Sequence, residues 1–167
     1  MRKWLYSVLL LTSVIGVLLA GALSTARGAP TARQVAFKAS YRGKLDILVR
    51  PSGLQMVAWA QGKATLLGAS VLLATGPTEQ PRPGCWQFSG LASLIGSKGD
   101  RLYLALGQPR NGCRLGPAST IFPASAEVQV MGGTGIFAKA AGQLKMTSSG
   151  DSITSGITLK YAGTLSY

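Results

Sequence analysis

The chain has 167 residues, of which 17 are basic and five acidic, and it contains no histidine. Without histidine the usual Ser-His-Asp and Cys-His nucleophilic systems are excluded, and the common zinc sites lose their main ligand. A formal charge of +12 attracts anionic surfaces or simply keeps the protein soluble, and both readings stand at this point.

Arg2 and Lys3 precede an uncharged run from Trp4 to Leu23, and small side chains follow at Ala26-Arg27-Gly28. That order is the layout of a secretory signal peptide, placed here at residues 1–28. Ser24-Thr25-Ala26 offers a second cleavage site, and the apolar run is also long enough to stay as a membrane anchor. No cysteine lies near the junction to accept a lipid. The expectation is an exported protein, extracellular, periplasmic or in the cell envelope, with one domain over residues 29–167. Loss of Arg2, Lys3 and Arg27 lowers the charge to about +9. The remaining basic residues are scattered rather than blocked. An anionic envelope surface is therefore one expected partner. Nucleic acid is not, because aromatic and basic residues do not interleave as a stacking platform requires.

Turn signals recur along the rest of the chain, from Pro51-Ser52-Gly53 through Gly76-Pro77 and Asn111-Gly112 to Ser149-Gly150-Asp151. Between them lie short runs rich in Val, Leu, Ile, Thr and Tyr, which predict strands of a sandwich or barrel. Lys44–Arg50, Leu54–Ala60 and Ser70–Thr75 come first, with imperfect alternation. Leu102, Leu104 and Leu106 then alternate with Arg101, Tyr103 and Ala105, Val128 and Val130 with Glu127 and Gln129, and Leu144 and Met146 with Gln143 and Lys145. The last strand is the clearest. Ile157, Leu159, Tyr161, Leu165 and Tyr167 share one parity, so that face should be buried, and Gly163 among them predicts a bend or bulge. No long helical period follows residue 29. Gly76–Gly84 and Gly107–Pro117, rich in proline and glycine, read as two long loops. Cys85 closes the first and Cys113 lies in the second. In an oxidising compartment they should pair, closing a loop of about 28 residues and contributing about 3–4 kcal/mol.

Gly133-Thr134-Gly135-Ile136-Phe137-Ala138 fits the loose G-x-G-x-x-A dinucleotide pattern, but no βαβ unit surrounds it, and nucleotide binding is rejected. The five acids, Asp46, Glu79, Asp100, Glu127 and Asp151, show no pairing in sequence. No metal site and no cofactor are expected.

Residues 132–142, Gly-Gly-Thr-Gly-Ile-Phe-Ala-Lys-Ala-Ala-Gly, resemble the GGTGxFxxAxG signature of dirigent proteins. With Gly142-Gln143-Leu144-Lys145 the run is also similar to the GGSGIF…GQVK segment of allene oxide cyclases. The likeness covers residues 125–167. It implies an all-β fold, a small closed antiparallel barrel of about eight strands with a hydrophobic cavity, often assembled as a homotrimer. Within the motif Gly132, Gly133 and Gly135 should allow positive φ or close backbone approach. Thr134 belongs to the same turn, Phe137 should plug the barrel, and Gly142 should let the next strand bend. The families' catalytic residues do not align with this chain, so catalytic residues are left unassigned. Candidates for a small hydrophobic ligand are Tyr161 on the buried parity, Tyr103 and Glu127. Two readings follow. The first is a binding or scaffold barrel without chemistry. The alternative is a cyclase, isomerase or dirigent-like factor that steers an apolar substrate by shape.

Overall fold

The computed structural model describes residues 33–116 and 119–167. The leader expected at 1–28 and the start of the domain at Ala29 lie outside the described residues. Eight strands follow one another: β1 (Gln34–Arg50), β2 (Gly53–Ala64), β3 (Gly68–Arg82), β4 (Cys85–Gly96), β5 (Arg101–Cys113), β6 (Ile121–Gly133), β7 (Ala141–Asp151) and β8 (Gly156–Ser166). Each pairs antiparallel with the next, and β8 returns to β1 with Gln34 opposite Ser166 and Lys44 opposite Gly156, closing the barrel. Backbone hydrogen bonds between Arg33 and Tyr167 in both directions extend that seam. Among the described residues the only helix is a 3-10 turn over Gly135–Phe137.

Alternation decides what fills the barrel. Phe37, Ala39 and Tyr41 of β1 are buried while Lys38, Ser40 and Arg42 face solvent. On β8, Ile157, Leu159, Tyr161 and Leu165 are buried, the parity expected from the sequence. The inner faces of β2, β3 and β4 carry small residues, among them Ala58, Ala60, Ala74 and Ala92. The large side chains Tyr41, Leu144, Met146 and Tyr161 come from β1, β7 and β8. An eight-stranded barrel is just wide enough for side chains to fill, and pairing small residues with large ones across the lumen lets them do so. Each large side chain so buried contributes about 1.5–3 kcal/mol. At Gly163 the register of β8 against both neighbours continues without a shift, so the expected bulge is absent; the glycine is needed for close approach, since a Cβ there would strike the Gln143 carbonyl on β7.

Two expectations change. Gly76–Gly84 and Gly107–Pro117 are not simply loops, because β3 runs on to Arg82 and β5 to Cys113. The sheet accommodates the Gly76–Gly84 prolines with irregular pairing. Pro77 lies opposite Gln55, and the register shifts between Glu79 and Arg82. The other change is β4, in a stretch that the alternation does not mark. Its outer face carries Leu91 and Ile95 while its inner face carries Ala92 and Leu94, so no polar parity reveals the strand.

Candidate ligand site

The hairpins divide between two ends. The glycine motif lies at the end where β6 passes to β7, together with the β2–β3 and β4–β5 turns. Gly132 and Gly135 adopt positive φ, +93° and +59°. Gly133 does not. Its requirement is space, since a Cβ would collide with the Arg101 carbonyl. Thr134 fastens the turn to β5: its Oγ1 accepts the Arg101 N–H at 3.1 Å, and its own N–H donates to the Arg101 carbonyl at 2.9 Å. The Ala140 N–H donates to the Phe137 carbonyl, and the Phe137 ring is driven wholly into the core, 6.3 Å from the ring of Tyr167. This end is sealed.

At the other end the lumen opens into a cavity of about 520 Å³, in the size range of small-molecule sites. Leu45 and Ile47 from the end of β1, Met56 from β2 and Ile157 from β8 form one side. Trp86 and Phe88 from β4 and Phe122 from β6 form the other. Thr78, Ser148, Ser152 and Ser155 add hydroxyls, Asp151 stands at the rim, and Asp46 borders the mouth from the outward parity of β1. Asp151 is fixed by the β7–β8 turn. Its carboxylate accepts the Ile153 N–H at 3.0 Å and the Thr154 hydroxyl at 3.1 Å. Those bonds, the Ile153 N–H foremost, hold its carboxyl below the usual range, so it is an anion at neutral pH. Ser155 adopts φ +54°, a left-handed conformation that costs a non-glycine residue about 1 kcal/mol, and its carbonyl accepts the Leu45 N–H at 2.9 Å. The turn is thereby tied across the seam to β1.

The Cys85–Cys113 disulfide joins directly paired positions of β4 and β5 at this open end. It fastens the strand that carries Trp86 and Phe88 immediately beyond Cys85. Arg114, next to Cys113, places its guanidinium 5.4 Å from the centre of the Phe122 ring.

The outside of the barrel is two-faced. Across β2 to β6 the outward residues Trp59, Leu73, Leu91, Tyr103 and Met131 line an apolar groove. Leu91 and Met131 there are 62% and 60% exposed. Across β7, β8 and β1 the outward residues include Lys145, Lys160, Lys38, Arg42 and Lys44, all exposed.

The structure separates the residues that the sequence suggested for a ligand. Tyr161 points inward but lies two inward positions deeper along β8 than Ile157, packed edge-on against Tyr41 with ring centres 6.4 Å apart. Burial, with Tyr41 beside it, pushes its hydroxyl well above the ordinary phenol value. Tyr41 is raised by burial too, and its hydroxyl shares a 2.8 Å hydrogen bond with Ser70. Tyr103 and Glu127 lie on the outer surface, Tyr103 in the apolar groove and Glu127 opposite Lys145. None of the three lines the cavity. The residues that do, Trp86, Phe88 and Phe122 above all, went unremarked because each stands beside a turn. Their signal is that all three aromatics fall at strand starts on the cysteine side of the barrel. Among the described residues, no group of three His, Cys, Asp or Glu converges as a metal site would need.

Fold and site together define a closed eight-stranded antiparallel β-barrel, plugged at one end and hollow at the other. No known family profile and no curated protein matches the chain.

Proposed function

We propose that this is an exported binding barrel that holds a small apolar ligand in its open end and leaves it chemically unchanged. The carrying observation is the 520 Å³ cavity with aromatic and aliphatic walls and a hydroxyl-bearing rim, the usual make-up of a small-molecule site. Export is supported by the leader-like sequence and by the disulfide, which oxidising compartments favour. Kinship with the allene oxide cyclase and dirigent barrels belongs to the same proposal and rests on the Gly132–Gly142 motif. So does self-association, for which the outer groove around Trp59 and Leu91 is the natural contact. The basic face of β7, β8 and β1 suits an anionic envelope surface. Binding is preferred over isomerisation because the carboxylates of the cavity are at its rim, and Asp151 is engaged in turn hydrogen bonds.

The test uses the neutral fluorescent probe N-phenyl-1-naphthylamine. Saturable uptake at one site per chain is expected. Ser148→Trp, which fills the cavity, should weaken it by about tenfold or more, the loss of one well-packed apolar contact surface. Leu91→Lys in the outer groove should leave it unchanged. Uptake that survives Ser148→Trp and vanishes in Leu91→Lys would move the site to the outside of the barrel.

A further inference from the structure

The two sulfurs of the Cys85–Cys113 bridge are not equivalent. Cys85 is buried, at 5% exposure, whereas Cys113 is partly exposed. Arg82, the last residue of β3, is paired across the turn with Cys85, and its Nε–H donates to the Cys85 Sγ at 3.2 Å. A guanidinium beside a sulfur favours that sulfur as a thiolate, because it is always charged and gives the anion a donor. A disulfide opens when a thiolate attacks one sulfur and expels the other. The expelled sulfur departs faster the better it bears negative charge, and attack falls on the sulfur that can be reached. Both conditions select the same direction here: an incoming thiolate reaches Cys113, and Cys85 departs beside Arg82. Arg114, next to Cys113 in sequence, is exposed at the same strand tips, where its backbone N–H donates to the Gly84 carbonyl at 2.8 Å. Positive charge around the bridge draws in an anionic attacker.

We infer that Cys113 is a modification site for low-molecular-weight thiols, with Cys85, held by Arg82, as the sulfur that leaves and later restores the bridge. In the forward step the external sulfur bonds to the Cys113 Sγ, the Cys85–Cys113 bond breaks, and its electron pair stays on Cys85 as a thiolate. In the return step the Cys85 thiolate attacks the Cys113 Sγ and expels the external thiolate, so the cycle consumes neither oxidant nor reductant. The inference stands apart from ligand binding, but it touches the same place. Trp86 and Phe88 follow Cys85 on β4, so exchange unlinks the tip of a strand that walls the cavity.

The experiment exposes the folded, oxidised protein to excess reduced glutathione, quenches samples with acid at intervals, and maps the peptic peptides by mass spectrometry. Singly modified chains should carry glutathione on Cys113 and a free thiol at Cys85. Arg82→Gln should slow loss of the bridge by about threefold or more, because the leaving sulfur loses its cation. Arg82→Lys, which keeps a positive charge, should restore most of the rate. Thermal unfolding of the oxidised proteins checks that the variants match the unaltered chain. The peptide map needs no substitution, so it decides the inference whatever Arg82→Gln does to folding. Glutathione found mainly on Cys85, or equally on both cysteines, overturns the inference. So does a bridge that resists glutathione in the folded protein and opens only in urea. An unchanged rate in Arg82→Gln, with thermal stability also unchanged, overturns the role given to Arg82 and the inference with it.

Discussion

The two ends of the barrel solve the same problem in opposite ways. Both must terminate a ring of eight strands whose inner faces are apolar. At the motif end the chain folds a phenylalanine back into the lumen. Gly132 and Gly135 with positive φ, Gly133 packed on the Arg101 carbonyl, and Thr134 hold the turn that carries it. At the cysteine end none of the described side chains is turned in as a plug. The strand tips are instead fixed to their neighbours by a covalent bridge between β4 and β5 and by a turn anchored across the β1–β8 seam. The lesson is that conformational freedom was placed where closure was needed, and constraint where a hollow was needed. A glycine-rich turn closes tightly because its backbone approaches neighbours that a Cβ would strike. A cross-linked tip can stay open because its order does not depend on filling it.

If that contrast is right, substitutions at the plugged end should act on stability and leave probe uptake alone. The largest effect should come from Phe137→Ala, which empties the plug and should cost about 3–5 kcal/mol in urea or thermal unfolding. Undiminished stability would show that the end is sealed by something other than this ring. Replacing both cysteines, Cys85→Ser with Cys113→Ser, should cost about 3 kcal/mol. It should differ from the plug variant in also weakening probe binding, since Trp86 and Phe88 follow the bridge. In the unaltered protein, thiol labelling under denaturing, non-reducing conditions should find no free thiol. Gly135→Val should cost about 2 kcal/mol, combining a left-handed backbone with a β-branched side chain pressed on Asp100. A variant of normal stability that had lost probe binding would make the motif part of the ligand site and erase the contrast. Smallest is Tyr161→Phe, which should change stability by less than about 1 kcal/mol. It should leave probe affinity intact, because Tyr161 is packed on Tyr41 and does not line the cavity.

How much of this could be read from residues alone follows from which faces alternate. β8 was legible because its outer parity is Thr158, Lys160 and Thr164 against Ile157, Leu159 and Tyr161 inside. β4 was illegible for the reason that makes it interesting. Leu91 on its outer face borders an apolar groove and Ile95 shares that face, so the wet parity that betrays a strand is missing. Tyr103 belongs to that same groove, which is why parity with Arg101 said little about its surroundings. The glycine motif named its own end of the barrel, since its residue types have few other uses. The cavity had no comparable signature. It is assembled from the tips of β1, β2, β3, β4, β6, β7 and β8 and the turn before β8, and only the closing of the ring brings Leu45, Trp86 and Phe122 to one mouth. Asp151 read as a turn residue and is one; that its turn borders a hollow is a property of the tertiary structure.

The seam between β1 and β8 carries a consequence for the order of events in the life of the chain. Among the described strands β1 is the first made and β8 the last, yet they are partners along most of their length. Until β8 emerges, β1 has an open edge with unsatisfied amide and carbonyl groups, and the sheet cannot become a ring. Closure is therefore a late event with a large sequence separation, of the kind that folds slowly. A chain in that condition cannot complete its ring while it is being synthesised. The delay also makes the edge of β1 a template for the wrong partner whenever synthesis stops short of Gly156. Joining Arg33 to Tyr167 and cutting the chain at the β4–β5 turn would turn that last contact into a hairpin.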